Sequence, residues 1–464
     1  MDIRRASGDE AVPLGQGRSE GDSWNDILNT SLKPVPAFLR EDSYEYRGSE
    51  PLSTERYTSP DFFQQECAKM WPNVWQFAAR EEEMPHPGDY VLYENVGRSY
   101  IVVRQDDGSI RAFHNVCLHR GRKLRDESGS ADKFQCAFHG FTWNKDGSLA
   151  HIPCRWDFGH LTDEKMQLPE AKVAVWQGFI FVRENDEGPS IEEYLAPLPE
   201  HFQEWRNEEC TTAIWVGKVV KANWKVTMEA FLEAWHSIVT HPQFLGFLGD
   251  ANTHYGVYGD HVNRALTPSG VLSPHLMGTG KTEQWIADEF LRGNGRSVSE
   301  NSLVVPEGMT ARQALADMFR QEYSEASNRD LSHVSDGEVI DSLVYNVFPN
   351  FSPWGGFMPT ICYRWRPWPD QDHTLMEVRI LTRVPKGEPH PPCPPMHLLG
   401  EDETWSSYTD WGILGAVFDQ DMENMPVVQQ GLKCSKNKQI ELGNYQEIRI
   451  RQFHQTLDKY LARF

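Results

Sequence analysis

Basic residues are scarce in this chain of 464 residues: 45 Lys and Arg stand against 67 Asp and Glu, a formal charge of −22. That field repels a phosphate backbone, so no nucleic-acid partner is expected unless a local basic patch overrides it. Long apolar runs are missing too. Nothing approaches the roughly 18 uninterrupted apolar residues of a spanning helix, and the opening MDIRRASGDE has no apolar signal segment. A cytoplasmic chain with no membrane partner is the expectation. The eight cysteines (67, 117, 136, 154, 210, 362, 393 and 434) are too few and too scattered for a disulfide framework in a reducing compartment. Any that sit beside histidine become metal candidates. No GxGxxG follows a strand-like run, so the chain does not bind a dinucleotide itself. Internal repeats and low-complexity tracts are also absent.

What the sequence does have is core material. Hydrophobic residues make up 39% and aromatics 12%, with 16 Trp and 23 Phe, which argues for packed interiors, and the length argues for more than one. Residues 1–43, rich in Gly, Ser, Asp, Glu and Arg, read as an arm. From Ser59 a short helix (DFFQQECAKMW) precedes β-rich runs, DYVLYENV, SYIVVRQ and IRAFHNV, separated by turns such as Asp106-Asp107-Gly108. These define a β-rich domain over 44–188, which runs on through the apolar stretch Val173 to Val182. The remainder, 189–464, mixes helices and strands. Helix-compatible spacing runs from Ala222 to Thr240, where Pro242 stops it, and again over Thr310 to Ala326, Tyr408 to Leu432 and Tyr445 to Arg463. Alternation in Ile361 to Arg366 and Met376 to Val384 predicts an antiparallel hairpin with one wet face. The fold class expected is α+β.

Two Cys-His pairs carry the first constellation: Cys117-Leu118-His119 and Cys136-Ala137-Phe138-His139. Zinc fingers usually group Cys with Cys and His with His; here the order is Cys, His, Cys, His. One thiolate and one imidazole from each of two loops suit a [2Fe–2S] cluster with both sulfurs on one iron and both nitrogens on the other, the Rieske arrangement. Imidazoles in place of two thiolates remove negative charge and place the potential within about −150 to +300 mV. A zinc site is the rival reading.

The second constellation is His236-x4-His241, preceded at −3 by Glu233. On a regular helix Glu233 and His236 share a face, so a carboxylate-to-imidazole hydrogen bond is easy. Five positions turn roughly 500°, leaving His241 about 140° from His236, so both reach one metal only where the helix is distorted or ending. Two imidazoles and one carboxylate on one face of Fe(II) leave the opposite positions open, the facial triad of non-haem oxygenases. The missing carboxylate must come from elsewhere in the chain.

The loop words CLHRGRKL and CAFHGFTWNKDGSL, followed by the His-x4-His segment, resemble the catalytic α subunit of bacterial Rieske non-haem iron aromatic-ring-hydroxylating oxygenases from about residue 44 to the carboxyl end. The resemblance implies a β-rich Rieske domain beside a catalytic domain with an antiparallel sheet covered by helices. It implies cluster ligation by Cys117, His119, Cys136 and His139. The iron ligands would be His236, His241 and Asp421, the last from FDQDMENMPVVQQGL, which is similar to the family's carboxylate-bearing helix; Asp419 is the runner-up. Trimeric rings are implied, possibly with a small β subunit, in which His139 meets Glu233 of the adjacent chain and Glu233 meets His236. Most relatives have Asp at this bridging position. Glu233, one methylene longer, is similar to the residue of the carnitine-oxygenase branch.

The chemistry so implied is reductive activation of O2 at a mononuclear iron, with one or both oxygen atoms entering the substrate. Electrons would come from a ferredoxin or flavin reductase and from NAD(P)H only indirectly. Such carriers are usually acidic, and Arg120, Arg122, Lys123 and Arg125 beside the first loop form a candidate docking patch. Phe348, Phe351, Trp354, Phe357, Trp365 and Trp368 suit a flat apolar or cationic substrate. Two substrate classes stay open: aromatic or polycyclic rings, hydroxylated or cis-dihydroxylated, and methylated or quaternary amines or ethers, hydroxylated and dealkylated. A Rieske electron carrier without catalysis is the alternative from another class.

Overall fold

A computed structural model describes residues 12–298 and 303–464. The chain divides into two compact units, Gln64–Tyr194 with Arg463–Phe464, and a larger one of residues up to Phe63 with Leu195–Ala462. Residues 44–63, grouped by composition with the first domain, belong to the larger unit. Leu52 and Ser53 pair antiparallel with Ile440 and Gln439, and Arg56 forms an ion pair with Asp458 at 2.6 Å. The arm is fastened to the same unit, since Arg264 donates to the carbonyls of Phe38 and Glu41. Neither partner is visible in local periodicity, because both lie more than 200 residues away.

The smaller unit is built on strands β1 (Gln76–Arg80), β2 (Asp89–Asn95), β3 (Arg98–Arg104), β4 (Ile110–His114), β5 (Gly129–Ser130), β6 (Lys133–Gln135), β7 (Thr142–Asn144), β8 (Leu149–His151), β9 (Glu170–Trp176) and β10 (Phe179–Arg183). Seven of them form a sheet in the order β1-β10-β9-β4-β3-β2-β5, and β6-β7-β8 form a second. The apolar stretch Val173 to Val182 is not one element. Gln177 and Gly178, with φ of 47° and 79°, fold it into the β9–β10 hairpin; two consecutive positive φ values match the right-handed twist of the flanking strands.

In the larger unit eight strands, β11 (Cys210–Val220), β12 (His254–Tyr258), β13 (Val262–Thr267), β14 (Ser342–Val347), β15 (Phe351–Pro353), β16 (Thr360–Pro367), β17 (Thr374–Arg383) and β18 (His397–Leu399), form one sheet in the order β12-β13-β14-β15-β16-β17-β11-β18. All pairings are antiparallel except β11 with β18. The β16–β17 hairpin has no wet face. Its charged residues Arg364, Glu377 and Arg379 are buried, with Glu377 accepting from Arg364 and Arg366 at 2.6 and 2.8 Å. Alternation of polar with apolar residues marks two distinct faces, and here the polar face is an internal ion network.

The unit also carries helices α1 (Trp224–Glu229), α2 (Glu283–Gly293), α3 (Ala311–Ser327), α4 (Ile413–Cys434) and α5 (Ile448–Arg463), beside shorter ones such as Trp24–Leu28 and Asp336–Ile340. Thr310 and Gln313 close a capping box at the start of α3. The stretch 222–240 is not one helix: α1 ends at Glu229, and the chain passes through turns to a 3-10 turn at Trp235–Ile238. The N–H groups of Phe231 and Leu232 bond three residues back instead of four, and that of His236 is captured by the Glu233 side chain. The Ala234 N–H donates to the Tyr255 hydroxyl oxygen at 3.0 Å, so with two donors after Glu229 taken by side chains the helical ladder does not resume. Among the described residues no helix is long and apolar enough to cross a membrane.

Candidate functional site

The two Cys-His loops share one backbone design. In the first, the Cys117 N–H donates to Arg122 O and the Gly121 N–H to Cys117 O; in the second, Cys136 donates to Phe141 O and Gly140 to Cys136 O. Both glycines sit in the left-handed region, at φ of 77° and 80°, which allows each tight reversal. Histidine comes two residues after the first cysteine and three after the second, so loops of the same shape present their imidazoles differently. Cys117 and Cys136 lie in a core with Phe113, Phe134, Phe141 and Trp143, close enough for one thiol to hydrogen-bond the other. Burial pushes the Cys117 thiol upward, while the N–H groups of His119 and Arg120 hold it down. The rings of His119 and His139 meet at 4.8 Å, and His119 stacks on Phe141 at 4.6 Å. His139 is exposed. Sulfur therefore meets sulfur inside and imidazole meets imidazole outside, a donor set that fits a two-iron cluster with unlike ends.

The proposed basic patch beside the first loop is largely committed. Lys123 pairs with Glu94 at 2.5 Å and Arg122 with Asp126 at 3.3 Å. Arg125 donates to the carbonyls of Leu124, Lys133 and Gln135. Arg120 is exposed, lying over the Phe138 ring at 5.2 Å.

In the larger unit, donor atoms of His236, His241 and Asp421 all lie within 4.8 Å of one another. His236 comes from the 3-10 turn and His241 from the bend before Pro242, while Asp421 projects from α4. The Asp421 Oδ1 stands 3.0 Å from His241 Nε2 and 3.7 Å from His236 Nε2. Donors bonded to one divalent ion at about 2.1 Å and at right angles stand about 3 Å apart, so the three fit a facial set. Each imidazole is held through its other nitrogen. His236 Nδ1 lies 2.6 Å from Glu233 Oε1, and His241 Nδ1 lies 2.8 Å from Gln420 Oε1. An oxygen acceptor at Nδ1 keeps the proton there and leaves Nε2 for a metal. Burial works against a charged His236, but Glu233, Asp421 and Asp250 outweigh it and its pKa lies above the ordinary value. Protons therefore compete with a metal at this nitrogen.

Asp419 has other work: its carboxylate accepts the N–H groups of Trp405 and Ser406 at 2.7 and 3.2 Å. Gln420, which orients His241, has no signal in sequence beyond standing next to Asp421. Of the six aromatics singled out, Trp365 joins a cluster with Phe231 and Tyr363 that continues to Phe418 on α4, one turn before Asp421. Phe348 packs elsewhere, on Phe453 and Tyr460 of α5, and Trp368 is 45% exposed. Burial and the Asp421 charge raise the pKa of Tyr363.

Two cysteines and two histidines in paired loops, and a second unit with two histidines and an aspartate around one point, are two donor sets that each fit an iron centre. Residues 74–162 match the Rieske [2Fe–2S] domain, and residues 200–463 match the catalytic domain of the ring-hydroxylating α subunits. The chain belongs to that family, whose two domains carry a Rieske cluster and a mononuclear iron that works with O2. It is 32% identical over 302 residues to the large oxygenase component of the naphthalene 1,2-dioxygenase system of Pseudomonas aeruginosa, 63% of each chain. It is 31% identical over 236 residues to the glycine betaine monooxygenase oxygenase subunit of Chromohalobacter salexigens, 49% of this chain and 53% of that one. These matches span less than two thirds of either relative. A quaternary ammonium Rieske monooxygenase crystallised with L-carnitine superposes with a TM-score of 0.62 at 18% identity, over 91% of this chain and 97% of the other, which shows a shared fold.

Proposed function

We propose that this chain is the terminal oxygenase component of a system that hydroxylates or cis-dihydroxylates an aromatic or polycyclic substrate. The observation that carries the reading is the facial set itself: His236, His241 and Asp421 converge, with both Nδ1 atoms already engaged and both Nε2 atoms facing the carboxylate. An electron carrier needs no such set. Bound there, iron would supply reductive activation of O2, with two electrons and two protons consumed and water released when only one oxygen enters the substrate. The chain's own residues hold and orient. Cys117, His119, Cys136 and His139 would grip the cluster, the smaller unit serving as the Rieske domain and the larger as the catalytic one. Glu233 fixes the His236 ring, Gln420 fixes the His241 ring, and the aromatic cluster of Phe231, Tyr363, Trp365 and Phe418 keeps water from the Asp421 side.

Electrons would arrive from a ferredoxin or flavin reductase in the cytoplasm. The assembly would be a homotrimer, with or without a small β subunit, in which the exposed His139 of one subunit meets Glu233 of the next. Trp235 and Val239, 43% and 75% exposed on the turn that follows Glu233, and Phe138, 54% exposed beside His139, are apolar surfaces suited to such an interface. A second substrate reading, hydroxylation and dealkylation of a methylated or quaternary amine, is favoured by Glu233 and by the betaine and carnitine oxygenases among the similar proteins. Incubation of the reconstituted system with 18O2 and either naphthalene or glycine betaine tests both. Labelled diol supports the first reading; formaldehyde and the demethylated amine in equal amounts, matched to O2 consumed, support the second; and neither product from members of either class refutes the assignment.

A further inference from the structure

Asp250 is a fully buried carboxylate in a short 3-10 turn, Asp250–Asn252, that packs against the turn carrying His236. One oxygen is well served. Ser273, itself fully buried, donates its hydroxyl to Oδ1 at 2.7 Å. Ser273 is fixed in turn by its own N–H to Leu245 O at 3.0 Å, in the segment just after His241. The other oxygen, Oδ2, is buried and has no hydrogen-bond partner. The cation-forming group nearest to it is His275, whose Nε2 stands at 3.7 Å, beyond hydrogen-bond reach. A buried anion with one oxygen unmet is costly unless a positive charge nearby compensates it. Burial raises the Asp250 pKa, while Ser273, the Ala251 N–H and His275 work to hold it down, and the packing of its turn against the turn of His236 is what brings this carboxylate beside the metal-site histidine.

We propose that Asp250 is a positioning residue of the metal site: without ligating, its half-paired carboxylate supplies a buried negative charge that strengthens divalent-cation binding at His236, His241 and Asp421. The proposal rests on those three residues holding the metal. It makes the site's balance one ligating carboxylate, one carboxylate on the His236 ring and one behind the turn, against a single dication. The charge of Asp250 is open to adjustment from the partly exposed His275, since a permanent cation there would close on Oδ2 and cancel it.

The test is anaerobic Fe(II) titration, against a competing chelator, of full-length protein stripped of its mononuclear iron, with the cluster spectrum used to confirm that the second centre is intact. Asp250→Asn keeps the shape and removes the charge, and its Fe(II) affinity should fall about tenfold. His275→Lys should lower affinity similarly at a partly exposed position, and it decides the matter if Asp250→Asn does not accumulate folded. Ser273→Ala removes the hydrogen bond and leaves the charge, so its affinity should stay within about twofold of wild type. Wild-type affinity in both Asp250→Asn and His275→Lys, or a loss in Ser273→Ala equal to that in Asp250→Asn, would overturn the proposal. His236→Ala separates the two levels: if it binds Fe(II) like wild type, the metal-site assignment itself fails.

Discussion

At the scale of single residues, Glu233 does two things at once. Its Oε2 takes the backbone N–H of His236 at 3.1 Å and its Oε1 takes the ring Nδ1–H at 2.6 Å. One side chain therefore caps the 3-10 turn and orients the ligand. Glu233→Gln keeps the reach but places an amide opposite Nδ1, and should reduce turnover at least tenfold while Fe(II) is still bound, measured by oxygen uptake beside iron content. His236→Ala or Asp421→Asn should abolish product formation and remove mononuclear iron, with the cluster absorbance unchanged. The Cys-His pairs stand out by their order and spacing, because such ligand pairs are local, whereas the His-x4-His gains its weight only beside them. Asp421 was legible only by resemblance, since 180 residues separate it from His241. Gln420, Asp250 and Ser273 left no mark in the text, because their roles depend on which side chains the fold brings opposite them.

At the scale of elements, the two cluster loops depend on backbone as much as on ligands. Gly140 at φ 80° has Pro153 Cγ only 3.2 Å from where a Cβ would sit. Gly140→Ala should cost roughly 1 to 2 kcal/mol from the left-handed backbone alone and yield protein with less cluster per chain, read from labile sulfide. The hairpin of β16 and β17 shows where pattern reading stops. Period-2 alternation locates the strands correctly, yet it cannot tell water from a buried counterion on the polar face. Burial works against the charged form of Glu377, but Arg364 and Arg366 outweigh it and hold its pKa down at about 2. Glu377→Ala leaves those arginines without their shared anion and should destabilise the larger unit by about 3 to 5 kcal/mol, measured by chemical denaturation. The 222–240 stretch fails in the opposite sense: its apolar spacing is helical, and side chains of Tyr255 and Glu233 take the N–H groups of Ala234 and His236 that a continued helix would use.

For the whole molecule, buried carboxylates set how stability varies with pH. Burial raises Glu229 to about 8, against the hydrogen bond from Tyr57, and Glu447 to about 7. A carboxyl whose folded pKa is raised holds its proton more tightly when folded, so its contribution is full below the ordinary value near 4.5 and is lost as pH rises to 7 or 8. Glu377 runs the other way, its contribution present above 4.5 and lost as pH falls toward 2. Thermal unfolding followed between pH 5 and 9 should show a declining midpoint that flattens in Glu229→Gln. The proposed ring makes a separate prediction. Mixing subunits that carry Cys117→Ser with subunits that carry His236→Ala, after dissociation and reassembly, should restore part of the activity that each lacks alone, because a working cluster would then face a working iron site across the interface. Activity no higher than in either parent would rule out inter-subunit transfer.

The histidines of the facial set ride on single turns, whereas Asp421 belongs to a helix of 22 residues. A bound ion would therefore act as a clasp, tying a stretch with little regular structure of its own to a rigid rod. In iron-starved cells newly made chains would lack that clasp. Cleavage by chymotrypsin after Trp235 or Phe244 should then be faster than in loaded enzyme, so that iron supply sets the lifetime of this protein as well as its rate.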